Sequence, residues 1–284
     1  LQGSAKAALM SLGVDTLPDL NKDPGDRNRT SPFAFTGNRF EFRAVGSGQS
    51  VAGPLVVLNT ILADSIQWIA DQLEQRLQSG LPLEEAAFAV LQRTMGENGA
   101  VVFGGDGYSA EWHQIAVEQR GLENLRTSAD ALPVLQRPEI RALFDRTGVL
   151  SAVELESRFE VYAEQYNLAI DVEAKLVLRI ARTQIYPAVM ASLEQLAGSI
   201  AVQESLGLVV DRSLLEQMAA LTQQLLSACE GLQEALEATP ADAHQHLRHC
   251  ADVLLPLMSG VRGAVDALEM LVEAEQWPLP PYQK

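Results

Sequence analysis

The spacing of apolar positions predicts that most of the chain is helical. From Pro54 to Leu73 apolar residues recur three and four positions apart, which is the period of an amphipathic helix. The same reasoning predicts further helices at about 84–91, 110–120, 138–145 and 152–166. A helix from about 171 to 197 should be kinked at Pro187, because proline lacks a backbone N–H and clashes with the preceding turn.

The last seventy residues carry heptad spacing. Apolar residues alternate three and four apart from Leu214 to Leu236 and again from Leu247 to Val272. Between them, Thr239 as an N-cap, Pro240 at the first helical position and an acidic residue after it indicate the start of a new helix. Two such helices joined by a short loop predict an antiparallel helical hairpin.

Two segments have the pattern of strands. Charged and aromatic residues alternate from Arg39 to Arg43, which predicts a strand near 39–45 with one polar and one apolar face. A second short strand is predicted at Val101–Phe103, followed by a glycine turn. The expected fold is therefore α+β and mainly helical, ending in an antiparallel helical bundle or hairpin. We expect one domain at 1–166 and a helical extension at 167–284.

Charge and composition exclude several classes of function. The net charge of −16 disfavours binding to nucleic acid or to an anionic membrane, because both surfaces are negative. No uninterrupted apolar run approaches the roughly 20 residues that span a bilayer. Two cysteines cannot form a disulfide scaffold and fit a reducing cytoplasm.

The strand near 39–45 is the strongest candidate for chemistry. Arg39, Glu41 and Arg43 would share one face at intervals of about 6.5–7 Å. This arrangement is consistent with a surface ladder of ion pairs, which stabilises little. The alternative is a site where Glu41 holds a divalent cation while the guanidiniums bind carboxylate or phosphate oxygens.

The amino-acid sequence of this region resembles that of a known family. Asn28-Arg29-Thr30 followed by Arg39-Phe40-Glu41-Phe42-Arg43 is similar to a late catalytic-domain signature of glutamine synthetases. The longer stretch at 26–50 and the segments at 105–113 and 120–125 resemble the type III branch in particular, and residues 132–133, 137–148 and 156–162 resemble the helical end of the family's catalytic domain. The resemblance extends from about residue 10 to about residue 195.

The resemblance implies a role for each matching residue. Glu41 would be a carboxylate ligand of an active-site Mg²⁺ or Mn²⁺. Arg43 would bind the substrate glutamate and then the γ-glutamyl phosphate, Arg29 would contact the transferring phosphoryl group, and Arg39 would bind the phosphates of ATP. Other branches carry a second arginine five residues after the Asn-Arg pair, where this chain has Ala34, so the charge around the phosphate is in doubt.

The resemblance also implies the biology. The parent protein would be a cytoplasmic, ATP-dependent glutamate–ammonia ligase that forms glutamine, and would assemble with itself into a ring, a dodecamer by family resemblance. The remaining metal ligands and the nucleotide pocket would lie upstream of residue 1. Since one carboxylate cannot hold two or three cations, we expect the chain alone to be inactive. The alternative is a non-catalytic helical module for oligomerisation or interaction.

Two other clusters are weaker candidates. His246, His249 and Cys250 share a helix face and could bind a metal, although Cys250 belongs to the apolar stripe and the histidines fit a solvated first turn. Asp106, Glu111 and His113 could be acid–base groups, but no partner spacing supports that role. The glycine-containing segment at 46–50 lacks the Lys-Ser/Thr ending of a P-loop, and we interpret it as a turn.

Overall fold

The computed structural model describes residues 9–10, 20–21, 33–35, 40–43, 49–103 and 105–280. Contacts within the chain divide it into two compact units, Leu1–Asn124 and Leu125–Lys284.

Among its described residues, the first unit has four short strands that form two antiparallel pairs. β1 (Leu9–Met10) pairs with β2 (Leu20–Asn21), and β3 (Phe33–Phe35) pairs with β4 (Phe40–Phe42). β4 agrees with the strand predicted near 39–45, although it is shorter.

Three helices complete the first unit. The turn between the first two uses Gly80, whose φ of +91° is accessible to glycine with little strain. The Gly80 N–H donates to the Leu77 carbonyl and the Leu81 N–H to the Arg76 carbonyl, so the turn satisfies the end of the first helix. The helices are α1 (Ala52–Gln78), α2 (Leu83–Asn98) and α3 (Ala110–Glu118).

The strand predicted at Val101–Phe103 is wrong. A turn of 3₁₀ helix at Gly99–Val101 takes its place, followed by extended backbone. The Arg120 guanidinium donates to the carbonyl oxygens of Ala100 at 3.2 Å and Val102 at 2.7 Å. The segment thus obtains from a side chain the hydrogen bonds that a neighbouring strand would have supplied.

The second unit is helical throughout its described length. Its elements are α4 (Ser128–Ala131), a 3₁₀ turn (Leu132–Gln136), α5 (Pro138–Thr147), α6 (Ala152–Ile180), α7 (Tyr186–Ser205), α8 (Ser213–Glu237), α9 (Ala243–His249) and α10 (Leu255–Glu269).

α6 and α7 form one continuous helix through a π turn at Ala181–Ile185. The predicted position of the interruption was close, because the π turn ends two residues before Pro187. The wider turn accommodates the carbonyl that the proline ring would otherwise contact. α6 also runs unbroken through 166 and 167, and the domain boundary predicted there stays a prediction.

The start of α9 differs from the sequence prediction. The N-cap is Asp242, whose side chain accepts the Gln245 N–H at 2.9 Å, whereas the Thr239 hydroxyl donates back to the Leu236 carbonyl. Thr239 therefore closes α8, and the prediction that it caps the next helix is wrong. A second π turn, Cys250–Leu254, joins α9 to α10 and again ends two residues before a proline, Pro256.

α8 and the α9–α10 arm form the predicted antiparallel hairpin. The His249 Nε2 lies 2.9 Å from the Ala235 carbonyl oxygen near the loop. Further along, Leu257 packs over Gly231, where an added methyl carbon would lie 3.6 Å from Leu257 Cδ2. The prediction of a mainly helical fold is confirmed. The hairpin packs with the α6–α7 helix around a core that includes Ile185, Val189, Met218, Leu225, Leu232, Leu254, Val261, Leu268 and Trp277.

Two helices are long and apolar enough to span a bilayer by length and composition alone. They are α1 and the continuous helix Ala152–Ser205. The sequence prediction considered uninterrupted apolar runs and missed both. Core helices of soluble proteins pass the same test, so the property does not define a membrane protein.

Candidate active site

The described part of the candidate site is one ion pair on β4 and its end. Arg43 Nη2 donates to Glu41 Oε2 at 2.9 Å. Residues two apart on a strand project to the same face, so the alternation in the sequence accounts for this pairing. Glu41 and Arg43 are therefore brought together as expected, while which ligands they bind stays a prediction.

The charged face of β4 is less exposed than the aromatic face. The Arg43 and Glu41 side chains are 20% and 32% exposed, whereas Phe40 and Phe42 are 63% and 43% exposed. A half-buried carboxylate bonded to a guanidinium is more strongly oriented than a fully solvated pair, because both side chains lose freedom to their surroundings. The aromatic face is available for packing against other surfaces.

The position at which other branches carry a second arginine lies directly across the hairpin from Glu41. Ala34 on β3 is the Cα partner of Glu41 on β4. Directly opposed residues of an antiparallel pair are neighbours on one face. Position 34 is therefore paired with Glu41 in the register of the two strands.

The remaining predicted site residues lie outside the described residues. Arg29 and Arg39 belong to this group, as do Asn28 and Thr30 of the signature and the turn at 46–48.

The described residues fit part of a Mg²⁺ or Mn²⁺ site. Hard divalent cations are bound by oxygen ligands, and Glu41 supplies one ionisable carboxylate that is accessible to solvent. Its partner Arg43 adds a positive charge suited to carboxylate or phosphate oxygens. One carboxylate is compatible with a shared ligand position and insufficient for a complete site.

The cluster at Asp106, Glu111 and His113 is a local turn followed by a helix. The Asp106 carboxylate accepts the Tyr108 N–H at 2.9 Å, and the Ser109 hydroxyl caps α3 by accepting the Trp112 N–H at 3.1 Å. Trp112 stacks on Phe103 with centroids 3.8 Å apart, and the Arg120 guanidinium lies 4.9 Å from the Trp112 ring. These contacts account for the segment structurally.

The histidines of the hairpin have three different environments. His246 Nε2 lies 3.2 Å from Asp171 Oδ1, His249 contacts the Ala235 carbonyl, and His244 stacks on Phe159 with centroids 4.6 Å apart. The expectation of solvated histidines is wrong for His246 and His249, which are half-buried.

Cys250 is part of the core, as its place in the apolar stripe predicted. It is fully buried, and burial together with the negative charge of Asp171 raises the pKa of its thiol to about 12. Asp171 was absent from the sequence-based candidates. It lies 75 residues from His246, and only the packing of α6 on α9 brings the two together.

Comparison with known proteins identifies the class of protein. A family model described as the glutamine synthetase C-terminal domain matches residues 86–204, from α2 through α7. The chain therefore carries a glutamine synthetase C-terminal domain.

Curated relatives define the branch. The chain is 37% identical to the type-3 glutamine synthetase of Dictyostelium discoideum, over 97% of this chain and 38% of that protein. It is 29% identical to a glutamine synthetase of Bacteroides fragilis (strain YCH46), over 97% of this chain and 39% of the relative. It is 31% identical to a glutamine synthetase of Butyrivibrio fibrisolvens, over 92% of this chain and 38% of that relative. Over almost its whole length the chain is therefore similar to a type-3 glutamine synthetase, in agreement with the resemblance of its motifs.

The chain spans a little over a third of the length of these relatives. The similarity does not favour the alternative of a non-catalytic helical module.

Proposed function

We propose that this chain is the C-terminal part of an ATP-dependent glutamate–ammonia ligase that forms glutamine through a γ-glutamyl phosphate. The observation that supports this most is the similarity to type-3 glutamine synthetase over 97% of the chain. Substrates would be glutamate, ammonia and ATP. The parent protein would be cytoplasmic, would bind neither nucleic acid nor membrane, and would assemble with itself into a ring, by family resemblance a dodecamer.

In this proposal Glu41 is a ligand of the active-site Mg²⁺ or Mn²⁺, which would offset negative charge on the phosphoryl oxygens when bound. Arg43 binds the glutamate substrate and the acyl phosphate through its planar guanidinium. Its hydrogen bond to Glu41 orients it before substrate arrives. Arg29 contacts the transferring phosphoryl group and Arg39 the phosphates of ATP.

Positioning is the contribution that these side chains can make. Phosphoryl transfer depends on holding the reacting groups in line and on fixed positive charges beside the equatorial oxygens. Arg43 is held by a charged hydrogen bond on a strand whose partner β3 fixes its direction. A guanidinium restrained in this way loses less freedom when it binds an anion.

The test is Glu41→Gln in the full-length parent protein. We expect glutamine formation to fall on the order of 100-fold or more at fixed metal concentration, with part of the loss recovered at higher metal. The assembly state should not change. The matched control is Glu97→Gln on α2, which removes an exposed ion pair in which Arg93 Nε lies 2.7 Å from Glu97 Oε1. This variant should keep its activity within about twofold of the unaltered protein.

Unchanged activity of Glu41→Gln would refute the assignment of this site. The 284-residue chain by itself should form no glutamine, because the described residues supply one carboxylate ligand at the site. Measurable glutamine formation by the chain alone would contradict that expectation.

A further inference from the structure

A second group of potential metal ligands lies in the second unit, where α6 packs against α9 and the π turn that follows it. Asp171 belongs to α6, His246 to α9, and Cys250 is the first residue of the π turn. One ligand atom from each lies within 4.8 Å of the other two. None of these residues belongs to the site proposed for the ligase reaction.

The group has a buried base and a partly open entrance. Cys250 is fully buried, whereas the side chains of Asp171 and His246 are each 18% exposed. An ion arriving from solvent would reach the carboxylate and the imidazole before the thiol. π turns inside helices are frequent at functional sites, and this one sets the direction of the Cys250 side chain.

The separation between the nitrogen and oxygen ligand atoms is close to that of a tetrahedral zinc site. Bonds of 2.0–2.2 Å from zinc to nitrogen and oxygen place neighbouring ligand atoms about 3.4 Å apart. The observed separation between His246 Nε2 and Asp171 Oδ1 is 3.2 Å. His246 and Cys250 are four residues apart in sequence and project from one side of the helix, so small side-chain rotations can bring the sulfur within bonding range.

Two polar groups with unused hydrogen-bonding capacity lie on α6, the helix that carries Asp171. Within the described residues, the Tyr166 hydroxyl and the Asn167 Oδ1 are buried and have no hydrogen-bond partner. Asn167 is one turn before Asp171 on α6. Burial raises the pKa of Tyr166, so its hydroxyl stays protonated and can donate a hydrogen bond. Such groups commonly orient metal ligands or bind a coordinated water.

We propose that Asp171, His246 and Cys250 bind a zinc ion that ties α9 to α6, with water in the fourth position. Thiolate and imidazole favour zinc over Mg²⁺ or Mn²⁺, so this site would differ in metal from the oxygen-based site at Glu41. On binding, the Cys250 thiol releases its proton to solvent and the sulfur donates an electron pair to zinc. The proposal does not depend on ligase activity.

The first test measures zinc binding by the complete 284-residue chain after removal of metal. Competition with a chromophoric chelator should give one zinc per chain. Asp171→Asn, His246→Gln and Cys250→Ser should each weaken binding tenfold or more. His244→Gln is the control, because His244 stacks on Phe159 outside the group, and it should bind zinc as the unaltered chain does.

The second test identifies the sulfur ligand. Cobalt(II) in place of zinc should give a sulfur-to-cobalt charge-transfer band in the near ultraviolet. The band should vanish in Cys250→Ser and persist in Cys229→Ser, which removes the chain's other cysteine, a buried residue of α8. Because Cys250→Ser changes the core, circular dichroism should verify its fold, and Asp171→Asn at a partly exposed position provides a second variant.

Zinc should also raise the midpoint of thermal unfolding of the unaltered chain and leave that of Cys250→Ser unchanged. Absence of stoichiometric zinc binding would overturn the proposal. So would binding that all three substitutions leave intact, or a cobalt complex without the charge-transfer band.

Discussion

Residues 49–124 and residues 125–280 are both mainly helical, yet they differ in how far their apolar side chains are buried. In 125–280 the apolar stripes of four helices and two π turns meet one another and form a core in which Leu225, Leu232 and Leu254 are completely buried. In 49–124 the long helix α1 buries only Thr60 to that degree, and Leu62 and Ile66 are each 57% exposed. Amphipathic spacing predicts helices in both regions and does not say whether the apolar face is covered.

The difference teaches where each region obtains its stability. Residues 125–280 hold enough mutual burial to account for a fold of their own. Residues 49–124 expose many large apolar side chains to solvent. Phe40 and Phe42 on β4 are likewise exposed. Contiguous exposed apolar surface usually marks an interface. The four predictions below test this comparison.

The largest expected effect is the loss of a core side chain. Leu225→Ala should lower the free energy of unfolding of residues 125–280 by roughly 2–5 kcal/mol, because it leaves a cavity among fully buried neighbours. Urea unfolding followed by the fluorescence of Trp277, in a Trp68→Phe/Trp112→Phe background, reports on this core alone. A loss below about 1 kcal/mol would mean that the core is looser than the structure describes.

A smaller effect, equal in the two regions, is expected at two helix ends. Gly80 after α1 and Gly148 after α5 have φ of +91° and +66° with open space around them. Alanine at either should cost about 1–2 kcal/mol, because the strain is in the backbone and does not depend on packing. Gly96→Ala is the control, since Gly96 lies within α2 in open space and the change should stabilise the helix.

Markedly unequal costs at Gly80 and Gly148, measured by thermal unfolding of each variant, would show that one turn is braced by more than local conformation.

A pH-dependent effect is expected at the capped start of α6. Ser151 and Glu154 form a reciprocal cap at the start of α6, and hydrogen bonds from the Ser151 backbone and hydroxyl lower the pKa of Glu154. A lowered pKa in the folded state stabilises above the unfolded value of 4.5, and this contribution is lost as the pH falls through the folded value. Glu154→Ala should therefore lower the free energy of unfolding at pH 7, and should lower it by a smaller amount below pH 4.5.

The matched control for the cap is Glu84→Ala in α2, a helix that begins at Pro82 without a side-chain cap. Urea unfolding at the two pH values should show little change for this variant. A pH dependence as large as that of Glu154→Ala would contradict the assignment to the cap.

The smallest effect is expected on the exposed face of α1. Leu62→Ala should change the free energy of unfolding by no more than about 0.5 kcal/mol, because most of the side chain is already in water. Trp68 fluorescence in a Trp112→Phe/Trp277→Phe background provides the measurement. A loss comparable to that of Leu225→Ala would remove the contrast between the two regions.

Periodicity predicted most of the helices, the hairpin and β4, because each depends on spacing within one segment. It failed where the hydrogen bond of a particular side chain, rather than the spacing of apolar residues, decides the structure. The carbonyls of Ala100 and Val102 are bonded by Arg120, so Val101–Phe103 needs no strand partner. The cap of α9 moved from Thr239 to Asp242, because the Thr239 hydroxyl has a carbonyl of α8 within reach.

The candidate sites follow the same rule. Glu41 and Arg43 could be paired from the sequence, since alternation on one strand places them together. Asp171 could not be joined to His246 and Cys250, because nothing local relates residues on α6 to the hairpin. Only tertiary packing creates that group, and helix periodicity gives no distances between helices.

The π turn between α6 and α7 gives that helix a spare residue. Removing one residue from the middle of a helix ordinarily swings everything downstream by about 100° about the axis and turns a buried face toward water. Between Ala181 and Ile185 the wide turn already contains one residue more than regular winding requires. Deleting the exposed Thr183 and replacing Pro187 would convert the π turn into regular α-helix. The buried faces of α6 and α7 would keep their present directions. Near the centre of this 54-residue helix, the chain can thus lose a residue without a change in the rotational register of the segments on either side.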